Sequence, residues 1–219
     1  MENWKTTNEK PARPLTELEP ELEEQVKARV LTYLEQGKPN WDMPHTLKVV
    51  EYMRELLTHE GGNARVLIPA AYFHDSGYSL TNVAGQEGIE WQKILDVKRQ
   101  HAVLGSAEAA KVLREIGGFT EEEIIEIARL VLVHDDLGDM PAKDFEREGF
   151  NDLMIVEADS LGMIDPSIPG NLSATERKKF IEQEFIPERL PLFKSDFGKQ
   201  KVAELLEVAL ARIERELGK

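Results

Sequence analysis

Histidine and aspartate are the residues of this sequence whose types and spacing best suit chemistry. The chain has five histidines and no cysteine, so a metal ion would be held by imidazole and carboxylate groups rather than by thiolates. Such ligands suit iron, manganese, cobalt, nickel or zinc, and a carboxylate can bridge two ions. The candidate residues recur at intervals of roughly one helical hairpin: His45, His74, Asp75, His101, His134 and Asp159.

Each of these histidines, taken alone, also has a purely structural interpretation. A histidine near a helix end often caps the helix, interacts with its dipole or lies on the surface, and His59 beside Glu60 fits that interpretation. The pair His74-Asp75 follows an apolar run, which argues against a solvated surface dipeptide but leaves open a buried histidine bonded to its own neighbour. The informative feature is therefore the set and not any one member.

Apolar residues at three- and four-residue spacing predict an all-α fold, a bundle of about eight helices, to position this set. The predicted helices span about 18–36, 44–60, 66–73, 102–116, 121–133, 150–163, 173–189 and 199–217. Leu47 is expected on the buried side of the second helix, and Pro69 should make the third start late or kink. Between 77 and 100 we expect a long loop with one short helix at 89–95. Successive antiparallel helices joined by short turns would bring the histidines to one end of the bundle.

Length and composition indicate one helical domain over 17–219, preceded by a polar arm over 1–16. The C-terminal helices should lie at 173–219. Lys and Arg number 27 against 41 Asp and Glu, a net charge of −14, which argues against binding a nucleic-acid polymer. The first 20 residues lack the pattern of a signal peptide, and no long apolar run follows. We expect a cytoplasmic protein without membrane contacts; a homo-oligomer, formed through the last helix, is compatible with the sequence.

The order and context of the candidate residues resemble those of the HD-domain superfamily of metal-dependent phosphohydrolases, over about residues 40–165. The pattern of that superfamily is a histidine, a later His-Asp pair and a distant aspartate. It maps onto His45, His74-Asp75 and Asp159, and the pair ends the apolar Ala71-Tyr72-Phe73 and precedes Gly77-Tyr78. Many members have two further histidines between the His-Asp pair and the distant aspartate, and His101 and His134 match these positions.

The resemblance implies a metal-site core at about 40–165 with two divalent metal ions per chain. One would be held by His45, His74, Asp75 and Asp159, the other by Asp75, His101 and His134, with Asp75 bridging. Iron or manganese is favoured, and zinc, cobalt, nickel or magnesium is compatible. No Gly-Tyr-Pro motif follows, and Ser76 precedes Gly77 where the cyclic-dinucleotide phosphodiesterases have Ile-Gly-Lys, so that substrate class is not implied.

The expected activity is hydrolysis of a small phosphorylated metabolite or nucleotide, as a phosphomonoester or phosphodiester, by metal-activated water. Asp75 would act at the metals, and Asp135 or Asp136, next to His134, is the candidate proton donor. Candidate phosphate-binding cations are Lys48, Lys98 and Arg99; each is also explained as a solvated side chain. Tyr78 and Trp91 could face a substrate ring or pack in the core.

Two other functions remain open on the sequence. A mixed-valence di-iron oxygenase of the same superfamily uses the same six ligands, although the context of His45, Trp41-Asp42-Met43-Pro44, shows no further match to those enzymes. A non-catalytic interaction module with a structural or sensory metal is the third interpretation. Against it, structural ions seldom need a six-residue site for two ions.

Overall fold

A computed structural model of the protein describes residues 13–38, 40–86, 93, 97–168 and 172–218. In these residues the chain forms eight α-helices and almost no strand, so the predicted all-α class is confirmed. The helices are α1 (Pro20–Leu34), α2 (Asp42–Glu60), α3 (Ala64–Phe73), α4 (Lys98–Ile116), α5 (Glu121–Val133), α6 (Phe150–Ile164), α7 (Ala174–Phe180) and α8 (Asp196–Glu216). Short 3₁₀ segments lie at Ser76–Leu80, Met140–Ala142 and Leu190–Leu192, and a π-helix spans Ile181–Arg189.

Local sequence signals set several of these helix ends. Thr120 and Glu123 form a reciprocal capping box at the start of α5, and Ser173 and Glu176 form another at the start of α7. Each box satisfies two backbone N–H groups that the first turn leaves without partners. Helix α4 ends at Gly117, whose φ of 76° is a left-handed conformation that glycine adopts without steric cost. These ends agree with the sequence predictions.

Helix α6 lies at the centre of the fold. It packs against α2, α3, α5 and α8, and the residues from Leu153 to Gly162 are all buried. A helix that is surrounded by others in this way must be mostly apolar. Asp159 and Glu157 are therefore exceptions whose charges need partners inside the protein.

Three local predictions differ from the structure. Helix α3 starts at Ala64, five residues before Pro69, because Asn63 caps it by accepting a hydrogen bond from the Arg65 N–H; the expected late start is wrong. Leu47 is 39% exposed because it lies on the outer side of α2. The predicted helix to 189 changes to a π-helix at Ile181, and its Pro187 lacks the N–H that an α-helix would use. The short helix expected at 89–95 lies outside the described residues except for residue 93.

The end of the N-terminal arm contacts the helical domain. Leu15–Thr16 pairs in parallel with Gly62–Asn63, and the Arg13 guanidinium lies 3.9 Å from the centroid of the Phe150 ring. These contacts join the chain before α1 to the start of α3 and α6. None of the described helices combines the length and the apolar composition that a membrane crossing requires.

Candidate metal centre

Two clusters of imidazole and carboxylate groups lie side by side in the interior of the bundle. In the first, the Nε2 atoms of His45 and His74 are 3.2 Å apart, and they lie 3.1 and 3.7 Å from Asp159 Oδ1. In the second, the Nε2 atoms of His101 and His134 are 3.3 Å apart. All of these side chains are buried, and each cluster could hold a metal ion.

Asp75 connects the two clusters through its two carboxylate oxygens. Its Oδ1 atom lies 3.5 Å from His101 Nε2 and 3.8 Å from His134 Nε2. Its Oδ2 atom lies 3.7 Å from His74 Nε2 and 3.9 Å from His45 Nε2. A carboxylate with one oxygen toward each cluster has the arrangement that a bridge between two ions requires.

Backbone carbonyls orient two of the four imidazoles. His74 Nδ1 lies 2.8 Å from the Ala71 carbonyl and His134 Nδ1 lies 2.7 Å from the Val131 carbonyl, so each ring donates through Nδ1 to its own helix. This contact places the lone pair on Nε2, which points into the cluster, and is the usual second contact of a metal-binding histidine. The apolar helix ends before His74 and His134 thus supply both burial and orientation.

Aromatic rings hold the other two imidazoles, whose buried Nδ1 atoms have no hydrogen-bond partner. Trp41 stacks on His45 with ring centroids 5.2 Å apart, and Tyr78 stacks on His101 at 3.9 Å. Tyr78 is buried, and its ring packs at the site against His101. Trp91 lies outside the described residues.

Two glycines permit the close contacts that assemble the clusters. A Cβ atom on Gly77 would lie 1.9 Å from the His101 carbonyl oxygen, and one on Gly162 would lie 2.6 Å from Val49 and 3.1 Å from the His45 ring. Gly77 therefore lets the 3₁₀ segment after Asp75 approach α4, and Gly162 lets α6 approach α2. Both contacts bring ligand-bearing elements together.

A buried lysine lies on one side of the clusters. Lys38 Nζ is 3.5 Å from Asp75 Oδ2 and 3.1 Å from Asp42 Oδ1, and it lies 3.4 Å from the centroid of the Tyr78 ring. Lys38 is only 9% exposed, and Asp42 is fully buried, so each compensates the charge of the other. Neither residue was a predicted site residue. Lys38 precedes α2 and Asp42 is its first residue, and neither belongs to a recognisable motif.

A buried arginine lies on the other side. Arg189 donates through Nη1 to Asp159 Oδ2 at 2.8 Å and through Nη2 to Asp135 Oδ1 at 2.6 Å. Asp135 Oδ1 is also 3.2 Å from Lys98 Nζ, and Asp135 Oδ2 is 4.0 Å from Nε2 of both His101 and His134. Arg189 thus joins a carboxylate of the first cluster to one at the edge of the second. No signal in the sequence marked it.

The electrostatic environment favours the protonation states that bind metals. Burial lowers the pKa of His74, and it lowers the pKa of His101 to about 3. Burial alone would raise the pKa of Asp75 and Asp159. Lys38 together with the neighbouring imidazoles outweighs burial at Asp75, and Arg189 together with His45 and His74 outweighs it at Asp159, so both pKa values lie below their usual range. Neutral imidazoles and ionised carboxylates are the forms that coordinate a cation.

The carboxylates around the second cluster also attract positive charge, as the pKa of His134 shows. Burial alone would lower its pKa, but the carboxylates of Asp75 and Asp135 raise it overall. A proton on His134 and a cation in the second cluster would meet the same electrostatic demand.

The remaining candidate residues lie farther from the clusters. Lys48 pairs with Glu51 at 2.6 Å and lies 3.9 Å from Asp165, just after α6, and Arg99 and Asp136 are exposed. Among the three substrate-binding candidates, Lys98 contacts a group at the site, because its Nζ atom lies 3.2 Å from Asp135 Oδ1. The structure thus brings together the six candidate ligands, Asp135 and Lys98, and leaves the other three residues outside.

The fold and the site define an all-helical domain with a paired His/Asp site suited to metal ions. Comparison with protein families gives a match to the HD domain over residues 43–164, more than half of the chain. The chain therefore belongs to the HD domain family, and the predicted family is confirmed. No curated protein and no solved structure matches the chain. Lys38, Asp42 and Arg189 lie outside the matched region.

Proposed function

We propose that the protein is a metal-dependent phosphohydrolase that acts on a small phosphorylated metabolite or nucleotide with two divalent ions per chain. The observation that carries this proposal is the position of Asp75, whose two oxygens face one cluster each. A site for a single ion would not need a carboxylate between two sets of imidazoles. Membership of the HD domain family supports the same class of chemistry.

The side chains fit the proposed ions. In each cluster two Nε2 atoms lie 3.2 or 3.3 Å apart with a carboxylate beside them, so several potential ligand atoms converge where one cation could bind. His45, His74, Asp75 and Asp159 would hold one ion and Asp75, His101 and His134 the other. When bound, such ions lower the pKa of water from about 15.7 toward roughly 7 and stabilise charge on a phosphoryl group.

The charge of the site suits a phosphate ester although the protein is acidic overall. The ligand set carries two negative charges, from Asp75 and Asp159, so two divalent ions would leave it with a surplus of two positive charges. The pairs Lys38–Asp42 and Arg189–Asp135 are each neutral. A phosphate dianion would therefore find its counter-charge at the metals, and Lys98 at the edge of the site adds a further cation.

Asp135 is the proposed catalytic carboxylate of the chain. Burial alone would raise its pKa, but His134, Arg189 and Lys98 lower it overall, so the group is ionised at neutral pH. An ionised carboxylate accepts a hydrogen bond or a proton from water; it does not donate one. Asp135 would thus orient or deprotonate the attacking water, and protonation of the leaving group would fall to solvent or to the substrate.

Metal content per chain tests the proposal. We expect two ions in the reconstituted parent by elemental analysis, and about one in His101→Ala because that change removes a ligand of the second cluster only. The matched control is His59→Ala. His59 is exposed and stacks on Phe197 at 4.6 Å, away from the site, so this variant should keep both ions.

Activity is then measured as release of inorganic phosphate from a panel of phosphomonoesters and phosphodiesters, under air and under argon. The proposal requires release at equal rates in both atmospheres, and its loss in Asp75→Asn. Turnover that requires oxygen and releases no phosphate would support the oxygenase instead. A parent that binds no metal after reconstitution would contradict both.

A further inference from the structure

A second cavity lies outside the candidate metal centre. It is formed by the end of α6 and the residues after it, by α7 and the start of the π-helix, and by the C-terminal half of α8. We call it the α6–α8 cavity. Its volume is about 90 Å³, several times the roughly 10–15 Å³ that one water molecule needs.

Most of the lining is apolar. The side chains that face the cavity include Met163, Ile164, Phe180, Ile181, Ala209 and Ile213. Water in such a space has few polar partners, and an apolar molecule would displace it favourably. The lining thus favours a hydrocarbon or ring as the buried part of a ligand.

Two arginines line the same cavity and share one carboxylate. Arg177 on α7 and Arg212 on α8 both contact Glu216, and Arg212 Nε lies 2.9 Å from its Oε1 atom. Two guanidinium groups thus share one carboxylate at this side of the cavity. An acidic group on a ligand would give them a second charged acceptor.

The other carboxylate of the lining is bound by groups other than the two arginines. Asp165 accepts a hydrogen bond from the Tyr52 hydroxyl at 2.5 Å and from the Ser167 N–H at 2.7 Å. Lys48 Nζ lies 3.9 Å away but pairs more closely with Glu51, at 2.6 Å. The donors that hold Asp165 thus leave the two arginines to their shared carboxylate and to a ligand.

The Arg177 guanidinium also has a free donor. Its Nε atom is buried and has no hydrogen-bond partner, although its Nη2 atom donates to Glu216. Buried donors without partners are uncommon in folded proteins. An oxygen of an acidic ligand at the arginine side of the cavity would satisfy this one when the Arg177 side chain turns toward it.

We propose that the α6–α8 cavity is a second binding site that takes a small apolar molecule with a single acidic group, such as a carboxylate. Apolar side chains would enclose its body, and Arg177 and Arg212 would bind its acidic end. The proposal does not depend on the phosphohydrolase function. The cavity is nevertheless adjacent to the metal centre, because Trp41 lines it and stacks on His45.

Binding of three eight-carbon probes to the full chain tests the proposal. Octanoate, octanol and octylamine share one apolar body and differ in the charge of the head group, and calorimetry with a chelator present removes any contribution from metals. We expect octanoate to bind at least about tenfold more tightly than either of the other two, as one charge-assisted contact would give.

Variants of the lining locate the binding. Ala209→Leu fills the cavity and should weaken octanoate about tenfold or more, whereas Val208→Leu, at a neighbouring position that is 51% exposed, should not. Arg177→Gln removes one of the two guanidinium groups and the free donor, so octanoate and octanol should then bind within about threefold of each other. Circular dichroism checks that each variant is folded. If Ala209→Leu does not fold, Arg177→Gln tests the proposal in its place.

Three results would overturn the proposal. The first is octanol binding to the parent as tightly as octanoate. The second is octanoate affinity that is unchanged in both Ala209→Leu and Arg177→Gln. The third is octanoate binding that appears only with Mn²⁺ and disappears in His101→Ala, because the carboxylate would then be a ligand of the metal centre. Absence of phosphohydrolase activity, by contrast, has no bearing on this test.

Discussion

Arg189 should be the charged residue whose replacement lowers the stability of this protein most. Its guanidinium is 5% exposed and contacts Asp159 at 2.8 Å and Asp135 at 2.6 Å. In Arg189→Met the methionine would fill much of the space of the arginine stem, so the main change is the loss of a positive charge between two carboxylates. Asp159 would then be left in the interior without its cation, and Asp135 would keep Lys98, whose Nζ atom is 3.2 Å away.

The expected loss follows from the burial of these groups. Breaking a buried ion pair by removing one partner costs about 3–5 kcal/mol. At roughly 2–4 °C per kcal/mol for a chain of this size, the melting temperature should fall by about 6–20 °C. Divalent cations should recover roughly half of the loss, because one of the two carboxylates, Asp159, would then have a second cation as partner.

Urea unfolding with and without Mn²⁺ measures both effects. Arg147→Met is the matched control, since the Arg147 side chain is 79% exposed and its pair with Asp144 is 3.6 Å long; its change should stay within about 0.5 kcal/mol. The double variant Arg189→Met with Asp135→Asn should be more stable than Arg189→Met alone, because it removes one of the two carboxylates that Arg189 compensates.

A metal-free Arg189→Met protein within about 1 kcal/mol of the parent would refute this reasoning. It would mean that Asp135 and Asp159 are solvated or protonated rather than held as ions by Arg189. A loss that is equally large in Arg147→Met would also refute it, because the effect would then reflect net charge and not the buried pair.

Two further predictions concern the packing and the pH dependence of the fold. Gly77→Ala should destabilise the protein by about 3 kcal/mol or prevent folding, because its Cβ would lie 1.9 Å from the His101 carbonyl oxygen. Thermal unfolding should show no such loss in Gly138→Ala, whose Cβ would meet only Asp136 at 3.7 Å. The buried Asp152 carboxylate has a lowered pKa, because Arg129 and Lys143 outweigh the effect of burial. Its contribution to stability is therefore complete above the unfolded-state pKa of about 3.9 and is lost as the pH falls further. Urea titrations should show a constant difference between parent and Asp152→Asn from pH 7 to about 5 and a smaller one below about pH 4; a difference that grows on acidification would contradict this sign.

The sequence alone determined most of the helices, because their signals are local. Apolar spacing over three or four residues, the capping boxes at Thr120 and Ser173, and the glycines after α4 act within one or two turns of the chain. The predicted all-α class and the family are confirmed for the same reason. The types and order of the candidate ligands were also visible, although their binding of metal stays a prediction.

Tertiary structure decided which charges meet at the site. Lys38 reaches Asp75 from the turn before α2, and Arg189 reaches Asp159 from the end of the π-helix. Neither contact has a local signature, since the partners are 37 and 30 residues apart in sequence. The same limit applies to Lys48. Its position one turn after His45 suggested that it belongs to the site, but in the structure it pairs with Glu51. Helical periodicity gives the side of a helix that is buried; it does not give the element that will cover that side, because this depends on how all the helices pack together.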